Sequence, residues 1–255
     1  MRIIKDIDYV GYGNPEQRLD VYLPEGERFP VLVYFHGGGI ETGDKTNGAE
    51  CFFPYLVKQG IAVVSANYRM YPRAVYPEFV RDAAAAVAWT KKHMGEYGEC
   101  EGLFVGGSSA GGYLSMMLCF DSSYLASHRM KPSDVNGYVH DAGQPTTHFN
   151  VLRERGMDTR RAIVDEAAPL YHVKAGQSYP PMLFIVSDND MACRYEQTML
   201  LLSTLSHMGD APENHPHVVM QGKHCAYCGR ADENGDSVFG KLVAPFVWKN
   251  TQKEG

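Results

Sequence analysis

Apolar residues in this chain gather into short unbroken blocks, with longer amphipathic stretches between them. Val31 to Phe35 holds five such residues in a row, rich in β-branched and aromatic side chains. That is the composition and length of a strand buried on both faces. Ile61 to Asn67, Leu103 to Val105, Val135 to His140, Met182 to Val186 and His217 to Met220 read as further strands. Ile3 to Tyr9 and Arg18 to Leu23 are extended segments, each ended by Gly or Pro, and suit an antiparallel edge. Cys51 to Gln59, Glu78 to His93, Tyr113 to Phe120, Arg194 to His207 and Val238 to Trp248 read as helices. Pro77 stands at the start of the second of these, where a missing N–H costs nothing. Gln144 to Gly176 is a long mixed segment between two strands. Strands alternating with helices predict an α/β fold: a mostly parallel sheet of about eight strands with helices on both faces.

Composition narrows the function. The net charge is −6, from 24 basic and 30 acidic residues, and no basic cluster offers itself to phosphates, so nucleic acid is excluded as a main partner. No repeat, low-complexity tract or linker divides the chain, and a single domain over residues 1–255 is expected. The start, MRIIKDIDYV, is not a signal peptide, and no stretch approaches the roughly 20 apolar residues of a membrane span. A cytoplasmic location is therefore expected, with no membrane partner. In a reducing compartment the six cysteines read as free thiols.

The chemistry concentrates after two strands. Gly107-Ser108-Ser109-Ala110-Gly111 is a G-x-S-x-G between a short strand and a helix. The chain must reverse sharply there, with little room for neighbouring side chains, and the helix N-terminus then points free N–H groups at the serine. Ser109 is in frame as a nucleophile and Ser108 is not. His36-Gly37-Gly38-Gly39 follows another strand. Glycines let backbone N–H groups approach a developing oxyanion, so Gly37 and Gly38, with Ala110, are the expected oxyanion hole. A phosphate loop with Gly38 and Gly43 at P-loop spacing fails, because Asp44 stands where a lysine is needed.

A serine nucleophile needs a base, and the base needs an orienting acid. His224, beside Gly222 after the last strand, is the expected base; His215 and His217 fall before or within that strand. The acid belongs after a strand between serine and histidine. Asp190 ranks first, Asp188 second and Asp141 third. A zinc reading of His224 with Cys225, Cys228 and Cys193 lacks a second ligand pair at matched spacing, so no metal is expected. The chemistry needs no organic cofactor.

Over nearly its whole length the sequence resembles the esterase/lipase branch of the α/β-hydrolase fold, close to hormone-sensitive-lipase-like and small bacterial acyl-esterase families. His36 to Gly39 with Gly43-Asp44-Lys45 resembles the oxyanion segment of that branch, and Asn67-Tyr68-Arg69 with Pro72 and Pro77 its next loop. Asp82, Ala85 and Trp89 resemble the following helix, Gly107 to Gly112 the elbow, Ser187 to Asp190 the acid loop and Gly222-Lys223-His224 the histidine loop. The match of the acid loop supports Asp190 over Asp188. Ser187 replaces a usual glycine, and the segment before His36 is too short for a large N-terminal cap. The resemblance implies a serine carboxylesterase acting on a small-molecule ester, such as an acetylated or feruloylated carbohydrate or another short acyl ester. An arylformamidase is the alternative within the same machinery. A non-catalytic binding protein of this fold is the alternative outside it; such relatives lose the serine or the histidine, and both are present here. A homo-oligomer stays open.

Overall fold

The computed structural model describes residues 1–251. Its frame is one eight-stranded sheet, made of β1 (Arg2–Asp8), β2 (Arg18–Leu23), β3 (Arg28–Phe35), β4 (Ala62–Ala66), β5 (Glu99–Ser108), β6 (Gly137–Asp141), β7 (Met182–Asn189) and β8 (His217–Lys223). The spatial order is β1-β2-β4-β3-β5-β6-β7-β8. β1 and β2 pair antiparallel, β2 pairs antiparallel with β4, and all later neighbours are parallel. The expected antiparallel edge and parallel body are both present.

Among the described residues, seven helices flank the sheet: α1 (Phe52–Lys58), α2 (Glu78–His93), α3 (Ala110–Phe120), α4 (Ser122–Ala126), α5 (Phe149–Glu154), α6 (Arg194–His207) and α7 (Gly240–Thr251). Two cores result, because each strand alternates its side chains between faces. On one face Val31, Val33 and Val105 pack with Val80 and Val87 of α2, Leu114 and Met117 of α3 and Leu201 of α6. On the other, Leu32, Phe104 and Ile185 pack with Phe52 and Phe53 around α1 and with Val243 and Val247 of α7. α3 is buried along its whole length, which is why its sequence is apolar on every side.

Several elements run beyond their apolar blocks. β5 extends to Ser108, through Gly106 and Gly107, because main-chain pairing with β3 and β6 continues past the last bulky residue. β8 runs on to Lys223, so His224 leaves the strand directly. The Gln144–Gly176 segment holds α5 and a short 3-10 turn at Pro169–His172. It leaves the C-terminal end of β6, the edge at which open α/β sheets present their ligand sites.

Candidate active site

Loops at the C-terminal ends of β3, β5 and β7 meet here, and those after β3 and β5 turn on glycines. Ser109 links β5 to α3 at φ 56° and ψ −111°, a strained conformation for a residue with a Cβ. Close packing accompanies the strain. A Cβ on Gly111 would stand 1.9 Å from the Phe35 carbonyl oxygen, so β3 and the first turn of α3 touch through bare backbone. The Ser109 N–H donates to the Asp141 carbonyl at 2.8 Å, which anchors the turn on β6.

The loop after β3 is held from beneath. His36 is buried, its Nδ1 lies 2.7 Å from the Gly37 carbonyl, and its ring stacks on Tyr68 with centroids 4.5 Å apart. Burial keeps the His36 imidazole below its usual pKa, hence neutral at pH 7. The Tyr68 hydroxyl donates to the His36 carbonyl at 2.8 Å. Gly38 takes φ 112°, and a Cβ there would fall 2.0 Å from the Thr42 carbonyl oxygen. Among the described residues, no acceptor takes up the N–H of Gly37 or Gly38. The residues after β4 brace this loop. Asn67 accepts from the Lys45 N–H at 2.5 Å and donates to Asp44 at 3.0 Å. Arg69 grips buried Asp82 through Nε and Nη2, each at 2.8 Å.

Ser109, His224 and Asp190 form one hydrogen-bonded line. His224 Nε2 lies 2.8 Å from Ser109 Oγ, and His224 Nδ1 lies 2.5 Å from Asp190 Oδ1. In the neutral ring the carboxylate side must face the N–H, so Nδ1 carries the proton and Nε2 accepts from the serine hydroxyl. Asp190 is fully buried at its side chain and also accepts from the N–H groups of Met191 (2.7 Å) and Ser187 (3.2 Å). Burial raises the Asp190 pKa, but the His224 hydrogen bond and charge outweigh it and hold the carboxyl below its usual value. For His224, burial favours the neutral ring, while the Asp190 hydrogen bond, the Cys225 sulfur and the Asp190 charge favour the cation. The balance pushes its pKa up to about 9.

The other two acid candidates are placed elsewhere. Asp188 is exposed and accepts from the Gly222 N–H at 2.8 Å, where the β7–β8 pairing shifts register. Asp141 lies under the elbow with no hydrogen bond to His224. Its carboxylate accepts from the Ser108 and Tyr227 hydroxyls and from the Cys228 thiol at 3.2 Å. Tyr34 joins this cluster through Ser108 Oγ at 2.8 Å. Sequence reasoning missed the cluster. Its visible signals were the Cys225-x-x-Cys228 spacing and a carboxylate at a strand end, but nothing along the chain joined them.

A cavity of about 820 Å³ opens over Ser109. Buried Phe52, with Phe149 and exposed Met191, gives it apolar lining, and exposed Glu41, Asn47 and Glu50 give it a polar rim. Arg194, buried, donates to the Ala142 carbonyl and to Gln144 Oε1 at 3.2 Å, fixing the start of the segment that carries Phe149. No helix among the described residues is long and apolar enough to cross a membrane.

The chain is similar to known proteins. The family model BD-FAE matches residues 19–136. A Mycobacterium tuberculosis protein named "Probable carboxylic ester hydrolase LipM" is 36% identical over 81% of this chain and 52% of its own length. Esterase LipQ of the same organism is 26% identical over 81% of this chain and 53% of its own length. The chain thus spans about half the length of these curated relatives. A solved structure described as a truncated carbohydrate esterase from gut microbiota superposes with a TM-score of 0.78, at 19% identity, over 99% of this chain and 97% of its own. The fold is that of the α/β-hydrolases, and over most of its length the chain is similar to carboxylic ester hydrolases.

Proposed function

We propose that this chain is a serine carboxylic-ester hydrolase in which Ser109 is the nucleophile, His224 the general base and acid, and Asp190 the orienting carboxylate. One observation carries the reading: the continuous hydrogen-bonded line from Ser109 Oγ through both nitrogens of His224 to Asp190, at 2.8 and 2.5 Å. Nε2 takes the hydroxyl proton as Oγ attacks the ester carbonyl. The N–H groups of Gly37, Gly38 and Ala110 receive the oxyanion. The imidazolium, stabilised by Asp190, returns the proton to the leaving alcohol, and an acyl-enzyme remains. Water then enters, gives its proton to His224 and releases the acid.

The substrate in this reading is a short acyl ester of a polar alcohol, with an acetylated or feruloylated carbohydrate as the leading class. A cavity with apolar lining and a rim of Glu41, Asn47 and Glu50 supports an apolar acyl group beside a hydroxyl-rich leaving group. The test is a panel of acylated sugars, feruloyl esters, p-nitrophenyl esters and N-formylkynurenine, ranked by kcat/KM. The reading expects acylated sugars to lead. N-formylkynurenine in first place overturns ester specificity, and no turnover of any member by folded protein overturns the esterase itself.

A further inference from the structure

Two thiols and a carboxylate stand together beside the His224 imidazole, and ester hydrolysis uses none of them. Asp141 ends β6, while Cys225 and Cys228 sit on the turn directly after β8. Cys225 takes φ 52°, and the Cys228 N–H donates to the Cys225 carbonyl at 3.0 Å, so this tight turn brings both side chains to one side. Asp141 Oδ2, Cys225 Sγ and Cys228 Sγ all lie within 4.8 Å of one another. The individual separations are 3.8 Å from Cys225 Sγ to Asp141 Oδ2 and 3.2 Å from Cys228 Sγ to the same oxygen. Cys225 Sγ is 3.7 Å from His224 Nε2.

The two sulfur–oxygen separations match the edges of a small metal tetrahedron. With zinc–sulfur bonds of about 2.3 Å and zinc–oxygen bonds of about 2.1 Å, a tetrahedral shell has sulfur–oxygen edges of about 3.6 Å. The donors are of the right chemistry, since two thiolates select a borderline or soft divalent ion over calcium or magnesium. An outer partner is in place too. The Tyr227 hydroxyl holds the second oxygen of Asp141. Both cysteines line the cavity, so an ion has a path from solvent.

We propose that Asp141, Cys225 and Cys228 bind one zinc-class divalent cation at the foot of the cavity. The two thiols release their protons as the ion takes a lone pair from each sulfur and one from the carboxylate, and water supplies the fourth ligand. No electron is transferred.

Cobalt(II) tests this in the whole protein, kept reduced with a phosphine. The expected result is one Co²⁺ per chain with thiolate-to-cobalt absorption in the near ultraviolet, displaced by Zn²⁺. Cys225→Ser, Cys228→Ser and Asp141→Asn each weaken Co²⁺ binding at least ~10-fold, the least that loss of even an outer partner costs. Where a variant fails to fold, wild-type protein alkylated at both thiols takes its place and must lose the absorption. A reduced wild type without the band overturns the proposal, as does a band undiminished in both serine variants. A mass showing Cys225 and Cys228 joined as a disulfide under the phosphine makes the pair a redox couple and also overturns it. The cobalt spectrum needs no ester, so a chain that binds cobalt and hydrolyses nothing keeps this site and loses the esterase reading.

Discussion

Asp190 Oδ1 lies 2.5 Å from Nδ1 of His224, across 34 residues of chain. The contact unites the loops after β7 and β8. It also separates two aspartates that neighbour one another in sequence, because Asp188 spends its carboxylate on the Gly222 N–H. Asp190→Asn should therefore lower kcat by roughly 10⁴-fold, through a misassigned imidazole tautomer. Asp188→Asn should stay within a few-fold of wild type. Steady-state kinetics on p-nitrophenyl acetate compares them, and the reverse order would move the acid to Asp188.

Ser109→Ala removes the nucleophile and leaves the backbone N–H groups of the elbow in place. The expected loss is at least ~10³-fold in kcat, with residual turnover from the oxyanion donors and binding. Near-normal kcat in a variant whose thermal unfolding matches wild type would take Ser109 out of the reaction.

The raised pKa of His224 fixes the sign of the pH response. The base must be neutral, and the free ring keeps its proton up to about 9. In metal-free enzyme, kcat/KM should rise with pH along a limb centred well above the imidazole's ordinary ~6.5. Asp190→Asn, which removes the charge that holds the imidazolium, should move that limb downward. The same shift acts on stability. The folded state holds this proton more tightly than the unfolded chain, so the contribution is complete below the unfolded pKa and fades as pH rises through the folded one. A pH series of residual kcat/KM, beside an NMR titration of the ring, measures both; a limb unchanged by Asp190→Asn would contradict the assignment.

Gly111 and Gly95 make a matched pair for stability. A methyl group on Gly111 meets the Phe35 carbonyl oxygen at 1.9 Å and cannot be relieved by a side-chain rotation. Gly111→Ala should cost about 3 kcal/mol or more, the upper range for overpacking. Gly95, in the 3-10 turn after α2, has open space around it and no positive φ. Gly95→Ala should be neutral or stabilise by up to ~1 kcal/mol, through the unfolded chain. Urea unfolding at constant m-value compares them; equal effects would mean that β3 and α3 are not in backbone contact.

Much of this molecule is written locally. Buried parallel strands such as Val31 to Phe35 announce themselves as apolar runs, because burial on both faces leaves no polar alternation. The serine elbow is equally local, since a sharp strand-to-helix turn with its close backbone contact demands glycines at fixed offsets. The expected ends of elements erred where main-chain pairing outlasts side-chain character, as in β5 and β8. Ser109, His224 and Asp190 were named from chain order and flanking strands, yet that order left three aspartates open.

Only the tertiary structure separated them. Asp188 and Asp190 stand two residues apart at the end of β7, and the direction each side chain takes depends on how β7 pairs with β8. The cluster of Tyr34, Ser108, Asp141, Tyr227 and Cys228 joins residues 33 to 120 positions apart, whose proximity is created by sheet order alone. Periodicity and turn sterics act over a few residues, so one chain records them. A site assembled at the ends of parallel strands depends on which strands become neighbours, and that is decided when the whole sheet packs.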